Sequence, residues 1–302
     1  MEQTNLSNAI ITVINRFDLF DFPLTDFEIW QFLPIKTSFN EVRNILPEIK
    51  NIETKFGFYF LPNRESIIEL RQERYRDAAE KIKLTQSRIR LFSWLPWIRL
   101  ISFANIIGPN NIKAQSDIDL FIVTKQNRVW MVKGIASFIF AVLNLRPTKR
   151  KSKNTVCLSY LVDESALDLS NGRYNETDWY FSYWFVGLTP LYGSSKIYTQ
   201  LFEANSWITK MLPNWSLANN EPRKRFIAKN ISKNSLSFWN IFEKMAHSFH
   251  MLVLAKALRQ QANIGSSVII NDHVLKLHPG DRRDKLFNLE HERLQNYEKT
   301  LS

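Results

Sequence analysis

Ser116-Asp117-Ile118-Asp119-Leu120-Phe121-Ile122-Val123-Thr124 is the stretch on which the reading of this chain turns. Two carboxylates separated by one apolar residue open a run that is otherwise β-branched and aromatic, the composition of a strand. Successive side chains on a strand point to opposite faces, so Asp117 and Asp119 share one face and Ile118 takes the other. Like charges held that close repel, and each raises the other's pKa unless a cation stands between them. Hard divalent ions such as Mg²⁺ take oxygen ligands, usually one or two carboxylates together with substrate phosphates. The pair therefore reads as a metal seat for phosphate chemistry at a strand's edge. The plainer alternative is two hydrated acids at an exposed strand start.

Outward from this stretch, the order of elements is that of a small mixed sheet. Ile98 to Asn105 reads as a strand, Gly108-Pro109-Asn110-Asn111 as a turn, Trp130 to Leu145 as a helix and Thr155 to Val162 as a third strand. Between helix and third strand, Arg146-Pro147-Thr148-Lys149-Arg150-Lys151-Ser152-Lys153 concentrates five cations in a loop, either a phosphate-attracting edge or a solvated one.

Upstream, apolar positions at helical spacing (Ile10, Ile11, Ile14, Phe17) precede two capping boxes, Thr25-Asp26-Phe27-Glu28 and Ser38-Phe39-Asn40-Glu41. Lys55 to Pro62 follows as an aromatic, extended element. Three short helices and a small β element within residues 1–64 are the pattern of a winged helix-turn-helix. The third helix carries one Arg (Arg43), two acids and Pro47, a poor groove reader, so packing or partner binding is the better role. Residues 65–97 read as an amphipathic connecting helix, 98–175 as the sheet-bearing core and 176–302 as a Trp-, Phe- and Asn-rich helical region. The fold class expected is α/β (α+β).

The bulk numbers bound the function classes. A chain of 302 residues with 45% hydrophobic and 23% charged residues can bury a substantial core in two or three units. Its +11 charge favours polyanions such as nucleotides or nucleic acid, while fitting equally a merely basic protein. The single cysteine, Cys157, excludes an intrachain disulfide and a cysteine-rich zinc site, and its apolar surroundings read as those of a buried inert thiol. Met1 to Asn8 lacks the regions of a signal peptide, and Val129 to Leu145 is too short to span a bilayer, so a cytoplasmic protein with no membrane partner is expected.

A strand, a turn and, about ten residues later, a strand opening with Asp-apolar-Asp resembles the nucleotidyltransferase fold of the polymerase-beta superfamily. Residues 116–124 match the second half of that motif, including Ser116 before the pair. The resemblance implies Mg²⁺ as cofactor, a nucleoside triphosphate as partner, and transfer of its nucleoside monophosphate to an acceptor hydroxyl. It implies Asp117 and Asp119 as catalytic and metal-binding residues, with Asn105, Ser116 and Lys113 in nucleotide binding. The first half of the motif, a Gly-Ser turn beneath the phosphates, is replaced here by Asn105 and Ile106; Asn tolerates a left-handed backbone, whereas Ile supplies no hydroxyl. The family's third carboxylate has no counterpart within Asn154 to Val162, and Asp163, with Glu164 beside it, is the nearest substitute as a metal ligand.

Two further readings stand beside this one: a catalytically degenerate member acting as a nucleotide- or partner-binding regulatory module, and a winged-helix regulator associated with DNA, nucleic acid being the less favoured partner. A second cluster, Asn271 to Asp284, holds His273, His278, three acids and two arginines. It reads as a turn at Pro279-Gly280 and the start of a last helix; the functional alternatives are metal ligation by the two histidines, five apart on a strand and turn, and coverage of the nucleotide pocket.

Overall fold

The computed structural model describes residues 2–105, 111–148, 152–218, 227–228 and 239–301. The chain is mixed α/β and forms two compact units, one of 1–76, 206–220 and 282–302, the other of 77–205 and 221–281.

In the first unit, α1 (Glu2–Asp18) and β1 (Leu24–Thr25) lead to α2 (Asp26–Phe32) and α3 (Phe39–Ile45). Both capping boxes form as the sequence predicts: Thr25 and Glu28 satisfy each other's backbone N–H at one helix start, Ser38 and Glu41 at the next. Pro47 stands in a single 3₁₀ turn, Leu46–Glu48, because proline has no N–H to continue the α ladder. Antiparallel strands β2 (Glu53–Lys55) and β3 (Phe58–Phe60) then pair, and β3 also pairs with β1. Ile10, Val13, Ile14, Phe17, Leu24, Ile29 and Val42 fill the core. The terminal helix α11 (Arg283–Leu301) is tied back by Arg16–Glu290 (2.7 Å) and Arg293–Asp18 (2.8 Å).

The long helix α4 (Ile67–Ser93) carries the boundary between the units within its length. In the second unit, β4 (Ile98–Phe103) lies antiparallel to β5 (Ile118–Thr124), and β5 lies parallel to β6 (Val156–Asp163) through the crossover helix α5 (Val129–Val142). Parallel neighbours need such a crossover, and a sheet covered on both faces needs strands apolar on both sides, which is why β5 reads as a near-continuous hydrophobic run. Ile118, Leu120 and Ile122 pack with Trp130, Val132, Ala136 and Phe140. Phe121, on the other face, meets Tyr160 at 5.3 Å and Trp184 of α6 (Trp179–Val186) at 5.9 Å.

Residues 176–302 were expected to be helical, and four strands there correct that expectation. Strand β7 (Thr189–Gly193) joins β4, the two-residue β8 (Ile227–Ala228) joins β7, and the hairpin β9 (Val268–Ile270) and β10 (Val274–Leu277) joins β6. The sheet runs β9-β10-β6-β5-β4-β7-β8. Runs of two to five residues show no periodicity that separates strand from helix, and pairing with strands made earlier in the chain decides them.

Candidate functional site

Strand alternation does what the sequence required: Asp117 and Asp119 come together at the start of β5, and one carboxylate oxygen of each and the Cys157 sulfur lie within 4.8 Å of one another. Two oxygens on opposite sides of a Mg²⁺, each at about 2.1 Å, stand about 4 Å apart. A separation within 4.8 Å is compatible with both carboxylates reaching one such ion. Cys157 enters through strand register, since β6 places it directly beside Asp119. A thiol is a soft donor and does not suit Mg²⁺.

The electrostatics of this cluster are unbalanced. Burial pushes the Asp119 carboxyl up to about 7, the neighbouring Asp117 charge pushes the same way, and a hydrogen bond from Cys157 opposes them. Burial, followed by the charge of Asp119, raises the Cys157 thiol to about 12, so it stays protonated at neutral pH. Each group would be relieved by a cation at the carboxylates.

Beneath the pair, Lys81 of α4 donates from Nζ to the carbonyls of Ser116 (2.6 Å) and Lys113 (2.9 Å) and to the Ser116 hydroxyl oxygen (3.2 Å). Burial depresses the Lys81 pKa, and Asp117 partly restores it. This lysine holds the turn that launches the acidic strand. It was not evident in the sequence because its helix is charged along its length, and spacing alone does not set Lys81 and Arg74, which are buried, apart from the charged members that are not.

Ser116 donates its hydroxyl and backbone N–H to the Lys113 carbonyl, at 2.9 and 3.0 Å, so its proton is committed to the turn. Lys113 is exposed. Asn105 is half-buried and follows Ala104, whose N–H donates to the Asp119 carbonyl at 3.0 Å, which puts Asn105 at the same end of the sheet as the acids. Ile106, Gly108, Pro109, Lys149, Arg150 and Lys151 lie outside the described residues, as does most of 219–238.

Asp163 is a correction. The parallel register sets it beside Thr124, five positions along from Asp119, or about 16 Å at 3.3 Å per residue. There it is fully buried and accepts hydrogen bonds from the N–H groups of Asn127 and Ser165 and from the Ser165 hydroxyl. Glu164 pairs with Arg99 at 2.8 Å. Neither reaches the acidic pair. The two C-terminal histidines also separate: His273 Nδ1 lies 2.7 Å from Asp163, and His278 Nε2 lies 3.0 Å from the Ser159 hydroxyl. They secure β6 rather than sharing a ligand. No protein-family model, curated protein or solved structure matches this chain.

Proposed function

We propose that Asp117 and Asp119 hold a Mg²⁺ that seats the triphosphate of a nucleoside triphosphate, in a site of the nucleotidyltransferase type. The observation that carries the reading is the convergence of two carboxylates, one of them pushed up to about 7, at a strand start with oxygens within 4.8 Å of each other. When bound, the ion neutralises charge developing on the phosphates and holds the nucleotide for in-line attack. Lys81 fixes the turn that aims both acids, and the chain's +11 surplus draws polyanions. In the transfer reading, an acceptor hydroxyl forms a bond to the α-phosphorus as the bond to pyrophosphate breaks.

A second reading, nucleotide binding without transfer, draws support from Cys157. The strand position beside Asp119, where a third carboxylate would act as base, holds a thiol that is protonated at neutral pH. A DNA-associated role has less behind it, because Arg43 of α3 pairs with Asp26 at 3.4 Å and Glu41 is engaged in its helix cap.

Titration calorimetry with ATP and GTP, with and without Mg²⁺, tests the common core of both readings. Metal-dependent binding is expected, weakened at least about tenfold in Asp117→Ala/Asp119→Ala. Equal affinity without Mg²⁺, or in the double variant, overturns it. Pyrophosphate release across a panel of hydroxyl acceptors then separates transfer from binding alone.

A further inference from the structure

A cavity of about 920 Å³ opens among α5, α9 (Trp239–Val253), α10 (Lys256–Gln261) and the part of β6 that β10 leaves unpaired. That volume falls within the roughly 300–1,000 Å³ of small-molecule sites. Most of the wall is hydrocarbon, with Phe140, Val156, Leu158, Phe242 and Leu254 among its residues. Its rim is apolar as well: Phe138 and Phe249 line the cavity yet are 69% and 62% exposed.

The charged groups within this wall are one-sided, beside the neutral Ser137, Cys157 and Ser159. Lys133, Arg146 and His250 line the cavity, and among the described lining residues there is no carboxylate. Lys133 donates to the Leu158 carbonyl, which uses one of its three N–H bonds. His250 Nε2 is buried with no hydrogen-bond partner. Gly134 keeps the space beside that nitrogen open, since a Cβ there would stand 3.2 Å from it. Burial, then the Lys133 and Arg146 charges, disfavour the imidazolium. An apolar chamber whose charged groups are all basic, whose one thiol (Cys157) stays protonated, and in which one buried ring nitrogen has no hydrogen-bond partner lacks an anion.

We propose that this cavity binds an anionic amphiphile, its hydrocarbon body against α5 and α9 and its carboxylate or phosphate at Lys133 and His250, with Arg146 also in the lining. The cavity adjoins the acidic pair through Cys157, which lines it, but binding there does not depend on nucleotide binding.

Calorimetric titration of the full chain with laurate, dodecyl phosphate and dodecanol, each below its micellar concentration, tests this. Both anions are expected to bind one to one and about tenfold more tightly than the alcohol, as one charge-assisted hydrogen bond provides. Lys133→Met should erase that margin. Ala141→Trp, at an exposed lining position, should weaken all three ligands. Should Lys133→Met fail to fold, Arg146→Ala at an exposed position carries the charge test, with a loss of about threefold expected for the anions alone. A preference for laurate points to a fatty acid as the natural ligand, and one for dodecyl phosphate to a phosphorylated lipid. Equal affinity for dodecanol, unchanged anion binding in both charge variants, or a dimer that closes the cavity and resists dodecyl phosphate overturns the proposal.

Discussion

The two ends of the β5–β6 ladder hold the same residue type in opposite states. At one end Asp163, beside Thr124, is fully buried and surrounded by donors: two backbone N–H groups at 2.9 Å, the Ser165 hydroxyl at 2.6 Å and His273 at 2.7 Å. At the other, Asp119, beside Cys157, faces the like charge of Asp117 and one thiol. A buried carboxylate supplied with donors is part of the framework. One left beside another acid is held at a cost that a cation removes. Donor supply, more than burial or residue type, separates the two roles.

The largest effect is expected at the satisfied end. Asp163→Ala leaves buried donors without an acceptor and should destabilise the chain by about 3–5 kcal/mol in urea unfolding. A loss below about 1 kcal/mol would mean that those hydrogen bonds are dispensable and the contrast false. At the unsatisfied end the sign reverses. Folded Asp119 keeps its proton up to about 7, against an ordinary 3.8, so the associated stability is present below about pH 4 and is lost as pH rises through 7. Asp119→Asn should abolish that slope and, at pH 8, be more stable than the parent by about 2 kcal/mol, the half-buried position discounting the full shift. Millimolar Mg²⁺ should restore the parent and leave the Asn variant unmoved, by linkage between binding and folding.

The smallest effect sharpens the comparison. Cys157→Asp places a third carboxylate in register with Asp119 and should tighten Mg²⁺ binding about tenfold, read by metal titration. Unchanged affinity would place the ion away from β6.

Much of the framework was legible in the residues. Thr25 with Glu28 and Ser38 with Glu41 announce their helices because a capping box closes within four residues. The alternation of β5 puts Asp117 and Asp119 on one face without reference to anything distant. Thr189-Pro190-Leu191-Tyr192-Gly193 was not legible, since a five-residue strand is specified by the β4 backbone it pairs with. That Cys157 stands beside Asp119 was not legible for a related reason, as nothing near it in the chain names Asp119 as its neighbour.

By itself, then, the sequence determined the helix caps, the mixed α/β class and the shared face of two acids, all of which rest on contacts a few residues apart. Only the tertiary structure decided which residue stands beside Asp119, that Asp163 belongs to the framework, and that four short C-terminal strands complete the sheet. Strand register is a long-range quantity: moving β6 by one residue would turn its side chains to the other face, and that choice is made by the packing of both faces together.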